Sequence, residues 1–303
     1  MSGSGSCPGG DRHPGAEGGP DPSSRAASFD ALLAASGLPR LEARALLEHA
    51  CGRGRSWLIA HGEEAAPPDA AARFATLAQR RRAGEPLAYL TGFREFHGLR
   101  LRVSPAVLIP RADTELLVEL AIRLAPPGAR LLDLGTGSGA IAVAVAAARP
   151  DLRVSASDLS EAALAIAAAN EAAVLPAGRA GGAIRWMAGN WWAALPADEP
   201  RFELIVSNPP YIAAGDPHLA RGDLPHEPAQ ALASGPDGLD ALREIAAGAS
   251  ARLLPGGWLL VEHGFDQGAA VRALFEAAGL REVATHRDAE GRERVTAGRR
   301  PGG

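Results

Sequence analysis

The period of the apolar positions changes twice along this chain. From Phe29 they recur every three or four residues, at Phe29, Leu32 and Leu33 and then at Leu41, Ala45 and Leu46, with Gly37 and Pro39 between. That spacing predicts short amphipathic helices. Trp57-Leu58-Ile59 and Phe74 with Leu77 continue it, so a small helical bundle with aromatic core residues is expected over 25–85. Between Pro86 and Pro110 the period falls to two, in Phe93-Arg94-Glu95-Phe96-His97 and Leu99-Arg100-Leu101-Arg102-Val103. His97-Gly98 reads as the turn of a hairpin inside a linker, 86–110, with His97 a turn residue rather than a ligand.

From Glu115 helix and strand alternate. Strands are read at Arg130–Leu134, Arg153–Ser157, Ile184–Met187, Glu203–Ser207 and Trp258–Glu262. Helices fit Thr114–Leu124, Ala140–Ala148, Glu161–Ala173, Gly238–Ala251 and Gln267–Ala278. The alternation predicts an α/β domain over 111–300, a mostly parallel, doubly wound sheet with helices on both faces. Glu282–Thr285 and Arg292–Ala297 flank Asp288-Ala289-Glu290-Gly291 and predict a hairpin at the sheet edge. Ala213 to Pro236 carries no period. A structureless loop of that length points to a substrate-facing role.

Composition narrows the classes. The chain has 303 residues, 47% hydrophobic and 22% charged, with a net charge of −4. That argues against a mainly electrostatic nucleic-acid binder, because backbone binding needs clustered cations. Arg80-Arg81-Arg82 is the candidate basic patch, and a solvated helix end is the plainer reading. Residues 1–24 hold seven Gly, four Pro and five Ser and read as a disordered tail. The only cysteines are Cys7 and Cys51, too few for a disulfide framework or a Cys-rich metal site, and no metal is expected. There is no signal-peptide pattern, and the apolar run Ala140 to Ala148 stops at Arg149-Pro150. A cytoplasmic protein with no membrane association is expected.

The chemistry gathers at three strand ends. Asp133-Leu134-Gly135-Thr136-Gly137-Ser138-Gly139 leads a strand into a helix. Glycines there permit a sharp turn and let backbone N–H groups approach a ligand. Their spacing is not G-x-G-x-x-G, and no Gly-Lys-Ser/Thr follows, so neither an NAD fingerprint nor an ATP phosphate loop is indicated. Asp133, charged inside an apolar strand, needs a polar partner, which the turn amides or a ligand's ammonium could supply. Asp158 ends the next strand, where a carboxylate can accept both ribose hydroxyls of a nucleoside cofactor. The alternative is a helix N-cap, a role open to Ser160 as well. Gly189-Asn190-Trp191-Trp192 ends the third strand, an amide and an indole fit to hold an adenine, although core packing accounts for one of the two tryptophans equally well.

Asn208-Pro209-Pro210-Tyr211 ends the fourth strand. The Asn208 side-chain oxygen can accept one hydrogen of a planar NH₂ group and the Pro209 carbonyl the other. Two prolines stiffen the turn, so both acceptors are set before substrate arrives. Tyr211 offers a face or edge for a planar group. An amide nitrogen is a poor nucleophile, its lone pair delocalised into the carbonyl. Accepting both N–H bonds orients that lone pair and favours the charge that develops as nitrogen meets an electrophilic methyl.

These segments resemble the class I S-adenosylmethionine-dependent methyltransferases, and specifically the protein-(glutamine-N5) methyltransferases that modify peptide chain release factors. The likeness covers about residues 29 to 298. Beyond the glycine turn and Asn208-Pro209-Pro210-Tyr211, it rests on Glu85–Gly92, Leu108–Glu115, Glu227-Pro228, Asp237–Asp240 and Glu290–Val295. It implies a Rossmann-like, seven-stranded catalytic sheet with a small N-terminal helical domain and a linking β-hairpin. It implies S-adenosyl-L-methionine as cofactor, bound by Asp133, Gly135, Thr136, Gly137, Gly139, Asp158, Asn190, Trp191 and Asn208. It implies peptide chain release factors as partners, with the glutamine of their Gly-Gly-Gln loop addressed by Asn208, Pro209, Pro210 and Tyr211; of these Asn208, Pro209 and Tyr211 are the catalytic candidates. No role follows from sequence for Arg111, Thr114 and Glu115. Two positions depart from the family pattern, Ala112 for the usual Pro and Asn190 for the usual Asp. A monomer without stable nucleic-acid binding is expected. The rivals are an adenine-N6 nucleic-acid methyltransferase, whose substrate amine is also planar and conjugated, and a non-catalytic translation-factor-binding protein.

Overall fold

A computed structural model describes residues 27–302, and the chain divides into two compact units between Gln79 and Arg80. The expected tail over 1–24, with Cys7, lies outside the described residues.

The first unit is helical: α1 (Phe29–Ala35), α2 (Arg40–Cys51), α3 (Arg55–Ala60) and most of α4 (Pro68–Arg82). Ser28 caps α1 by accepting the Ala31 amide at 3.2 Å. Phe29, Leu46, Leu58, Phe74 and Leu77 are buried, and Phe29 meets Trp57 edge-on at 5.5 Å. The sequence expectation fails at Leu41, which is 72% exposed. The buried stripe of α2 runs Ala43, Leu46, Leu47, Ala50, and a residue two positions before Ala43 falls on the opposite face.

The second unit opens on the end of α4, where the three arginines do not form a free cationic patch. Arg80 pairs with the Glu85 carboxylate at 2.5 Å, and Arg81 donates to the Glu85 carbonyl at 3.0 Å and reaches Asp223 at 3.5 Å. After α5 (Leu87–Thr91), strands β1 (Phe93–Phe96) and β2 (Leu99–Arg102) pair antiparallel. His97 and Gly98 turn between them at φ +49° and +73°, the two left-handed residues a tight hairpin needs. Phe96 and Leu101 sink into the core of this unit, so the hairpin is packed onto the α/β fold.

The main sheet holds β3 (Arg130–Leu134), β4 (Arg153–Asp158), β5 (Arg185–Ala188), β6 (Phe202–Ser207), β7 (Leu253–Glu262), β8 (Arg281–Arg287) and β9 (Glu293–Arg299). Their order is β5-β4-β3-β6-β7-β9-β8, with the first five parallel and β9 antiparallel to both neighbours. Side chains alternate across it. Leu131, Val154, Leu204 and Leu260 pack under α6 (Glu115–Leu124) and α7 (Ala140–Ala148), while Leu132, Leu134, Ile205 and Val261 pack under α9 (Asp240–Arg252) and α10 (Gly268–Ala277). α8 (Glu161–Val174) lies beside α7 and holds β2: Asn170 accepts the Arg102 amide at 2.6 Å and donates to the carbonyls of Arg102 and Ser138. Successive strands leave β3 in opposite directions, toward β4 and toward β6, so the switch point lies at the carboxyl ends of β3 and β6. Open α/β sheets bind ligands there. No helix among the described residues is long and apolar enough to cross a membrane.

The stretch after β6 is less bare than its sequence suggests. It holds three short 3₁₀ turns, Pro217–Ala220, Leu224–His226 and Ala229–Ala231, and a bridge from Ile212 to Ala233.

Candidate active site

The turn after β3 is built on three left-handed glycines, Gly135, Gly137 and Gly139, at φ +69°, +56° and +77°. Each position serves differently. A Cβ on Gly139 would come within 2.9 Å of Ala167, so that glycine lets α7 approach α8. A Cβ on Gly135 would meet the Trp191 ring at 3.0 Å, whereas a Cβ on Gly137 would meet nothing within 4 Å. The Gly137 amide donates to Asp158 Oδ2 at 2.8 Å and the Ser160 amide to Oδ1 at 2.9 Å. Ser160, not Asp158, caps α8, accepting from Ala163. Asp158 is thereby aimed at the glycine turn with further lone pairs to offer.

The first part of this turn and the end of β4 line a cavity of about 340 Å³, a size suited to a small-molecule ligand. Gly135, Thr136, Gly137, Asp158, Asn190, Trp191, Asn208 and Pro210 all reach it. Asp133 and Gly139 do not; they stand behind the lining. Asp133 is fully buried, and its partner is the Thr136 hydroxyl, 2.6 Å from Oδ2, while Oδ1 has none. Burial pushes its pKa up to about 7 against the pull of that hydroxyl. Of the two tryptophans, Trp191 faces the cavity from a left-handed backbone at φ +39°, unusual for a bulky residue. Trp192 is tied to the Glu244 carbonyl at 2.9 Å.

The charge of this lining suits a cationic nucleoside. Asp158, Asp240 and Glu244 face it against one cation, Arg111, which is itself paired with Glu227. A phosphate would find no free cation there. A sulfonium or ammonium group would find carboxylates, a ribose the Asp158 oxygens, and an adenine the Trp191 ring and the Asn190 amide. S-Adenosylmethionine fits these residues.

A second, larger cavity of about 870 Å³ adjoins the first and is lined by Pro209, Tyr211, Phe265 and the loop after β6. Leu108, Arg111, Asn208, Pro210 and Ala231 line both. Asn208 thus stands on the wall between a cofactor-sized space and a broader one. Its Nδ2 donates to Thr114 Oγ1 at 3.0 Å, which leaves Oδ1 as the end offered to a ligand. Tyr211 donates its hydroxyl to Glu262 Oε1 at 3.2 Å. Burial first, and then the Glu262 charge, push the phenol well above the usual tyrosine range. Glu262, 1% exposed, is itself pushed up to about 7 by burial, opposed by the Thr114 hydroxyl and by Arg294.

Sequence reasoning assigns no role to Thr114, Glu227, Glu262 or Arg294. Glu227 is buried, takes the Ile109 amide at 3.1 Å and pairs with Arg111, pinning the loop after β6 to the segment before α6. Arg294 pairs with Asp113 at 3.0 Å and Asp288 at 3.4 Å. Glu115 accepts the His97 amide at 2.8 Å and so secures the hairpin turn. Glu262 carries one legible signal, a carboxylate ending an apolar strand, the same that singles out Asp133.

The family model described as PrmC N-terminal domain matches residues 27–92, and that described as Methyltransferase small domain matches 112–235. The release factor glutamine methyltransferase of Bordetella pertussis is 56% identical over 272 residues, 88% of this chain and 97% of that one. A solved protein-(glutamine-N5) methyltransferase (release factor-specific) from Alicyclobacillus acidocaldarius is 34% identical, covering 66% of this chain and 99% of the other, with a TM-score of 0.39. A methyltransferase of Pyrococcus furiosus, 17% identical, shares the fold at a TM-score of 0.50 over 75% of this chain and 99% of its own. With more than half its residues matched over nearly the full length of a curated relative, this chain belongs to the release factor glutamine methyltransferase family.

Proposed function

We propose that the protein transfers a methyl group from S-adenosyl-L-methionine to the side-chain amide nitrogen of a glutamine in peptide chain release factors, the one in their Gly-Gly-Gln loop. The observation that carries this reading is Asn208, on the wall shared by the two cavities, with its amide nitrogen taken by Thr114 and its oxygen left to accept. S-Adenosylmethionine, when bound, supplies an electrophilic methyl group on a cationic sulfur. The first cavity holds it through the glycine turn, Asp158, Asn190 and Trp191, with Asp133 bracing the turn from behind.

The acceptor glutamine enters from the second cavity. Asn208 Oδ1 and the Pro209 carbonyl each accept one of its N–H hydrogens, Pro210 keeps the turn stiff, and the Tyr211 ring rests against the amide plane. Both acceptors are fixed before substrate binds, so no reorganisation is spent as charge builds on nitrogen. The raised phenol pKa keeps Tyr211 a neutral hydrogen-bond donor to Glu262 and unfit to act as a base at neutral pH. As the carbon–sulfur bond gave way to the new C–N bond, its electron pair would return to sulfur, and the nitrogen, made acidic by that bond, would release its surplus proton to solvent in the second cavity.

Arg80 and Arg81, at the end of α4, are bound to Glu85 and Asp223, which favours a protein acceptor over a nucleic acid. The test incubates the purified protein with labelled S-adenosylmethionine and offers a release factor and adenine-containing DNA in parallel. Label on the glutamine supports the proposal; label on DNA alone overturns it in favour of the adenine-N6 reading.

A further inference from the structure

Four large apolar side chains among the described residues stand exposed, and two of them flank the site: Leu159 at the first cavity and Phe265 at the second. Phe265 is 63% exposed, yet its turn, from Gly264 to Gln267 between β7 and α10, is firmly held. The Gln267 side chain accepts the Gly264 amide through Oε1 at 2.8 Å and donates through Nε2 to the Tyr211 carbonyl at 2.9 Å. Both ends of one amide thus fix the turn that carries the phenyl ring in register with Asn208-Pro209-Pro210-Tyr211. An aromatic side chain held in this way beside an acceptor cavity binds a partner at little ordering cost.

The rest of the cavity indicates what the ring meets. Its volume of about 870 Å³ far exceeds what a glutamine side chain fills, so main chain beside the glutamine enters with it. Arg111, Arg292, Arg294 and Asp237 on its lining are each paired within the protein. A charged peptide would have to break those pairs, and a neutral one would not. Glycine offers the flattest neutral main chain, because no Cβ stands between its backbone and a ring. We infer that Phe265 is a specificity-determining residue of the acceptor site, its ring packing against the main chain of the glycine that precedes the acceptor glutamine. This inference rests on the proposed function and extends it to the residue beside the reacting one.

The experiment compares Phe265→Ala and Phe265→Tyr with the unaltered protein by steady-state methylation of a release factor and by calorimetric S-adenosylmethionine binding. Phe265→Ala should raise the acceptor KM by roughly 10-fold or more, the scale of truncating an aromatic anchor. Its kcat and cofactor Kd should stay within about threefold, since the ring holds the acceptor equally before and during transfer. Phe265→Tyr keeps the ring face and should recover most of the loss. A second acceptor carries alanine for the glycine before the glutamine. That methyl should raise KM by roughly 10-fold in the unaltered protein and by less than about threefold more in Phe265→Ala, because the two changes remove one contact. A KM for Phe265→Ala within about twofold of the unaltered value overturns the inference, whether or not the variant alters self-association in sedimentation. Penalties that multiply overturn it as well.

A second readout needs no turnover. With S-adenosylhomocysteine in place of the methyl donor, the calorimetric Kd of the release factor should weaken by roughly 10-fold or more in Phe265→Ala. An unchanged Kd overturns the role of Phe265 alone. Absence of methylation by the unaltered protein overturns the proposed function, and absence of release-factor binding overturns both.

Discussion

The Gly137 amide nitrogen lies 2.8 Å from Asp158 Oδ2, so the glycine turn and the carboxylate at the end of β4 are one structure, each holding the other in place. Asp158→Ala removes the ribose acceptor and loosens the turn. The expected result is a rise of roughly 30- to 100-fold in cofactor Kd by calorimetry, the loss of one or two charge-assisted hydrogen bonds. The Tm should move little, because Asp158 is only half-buried and packs no core.

Gly137→Ala and Gly139→Ala separate function from folding within the same turn. Gly139→Ala forces a Cβ to 2.9 Å from Ala167 and 3.1 Å from Trp186 at a φ of +77°. It should destabilise by about 2–4 kcal/mol in denaturant unfolding, strain and overpacking together. Gly137→Ala meets no atom, so its cost should be about 1 kcal/mol of backbone strain. Its larger effect should be on cofactor binding, since the added methyl stands at the cavity.

Much of this is legible in the sequence. Arg130–Leu134 has its predicted bounds, and the glycine turn, Asp158, Trp191 and Asn208 converge on one cavity as expected from strand ends in an open sheet. The apolar pattern starts β7 at Trp258, whereas the strand begins at Leu253, because Pro255, Gly256 and Gly257 look like a breaker. The pairing resumes across a bulge, from Phe202–Leu253 to Leu204–Trp258. Local pattern cannot report such a partner. The same holds for Thr114, Glu227 and Glu262. Each acts through a residue far away in sequence, and periodicity says which face a side chain takes, not what it meets there.

Stability should depend on Asp133 in a particular pH window. Burial raises its pKa to about 7, above the ordinary carboxylate value, so the folded state keeps a proton that the unfolded chain releases. The stabilisation is complete below about pH 4 and is lost as pH rises through about 7. Asp133→Asn should flatten the fall in Tm over that window relative to the unaltered protein. Parallel curves would contradict it.

The most direct test of the mechanism is Asn208→Ala, measured for both cofactor binding and single-turnover methylation of a release factor. Loss of one preorganised acceptor predicts a rate lower by about 100-fold or more. S-Adenosylmethionine affinity should stay nearly intact, because Asp158, Trp191 and the glycine turn remain. A variant that methylates at close to the original rate but binds the cofactor weakly would contradict the acceptor role of the Asn208 oxygen.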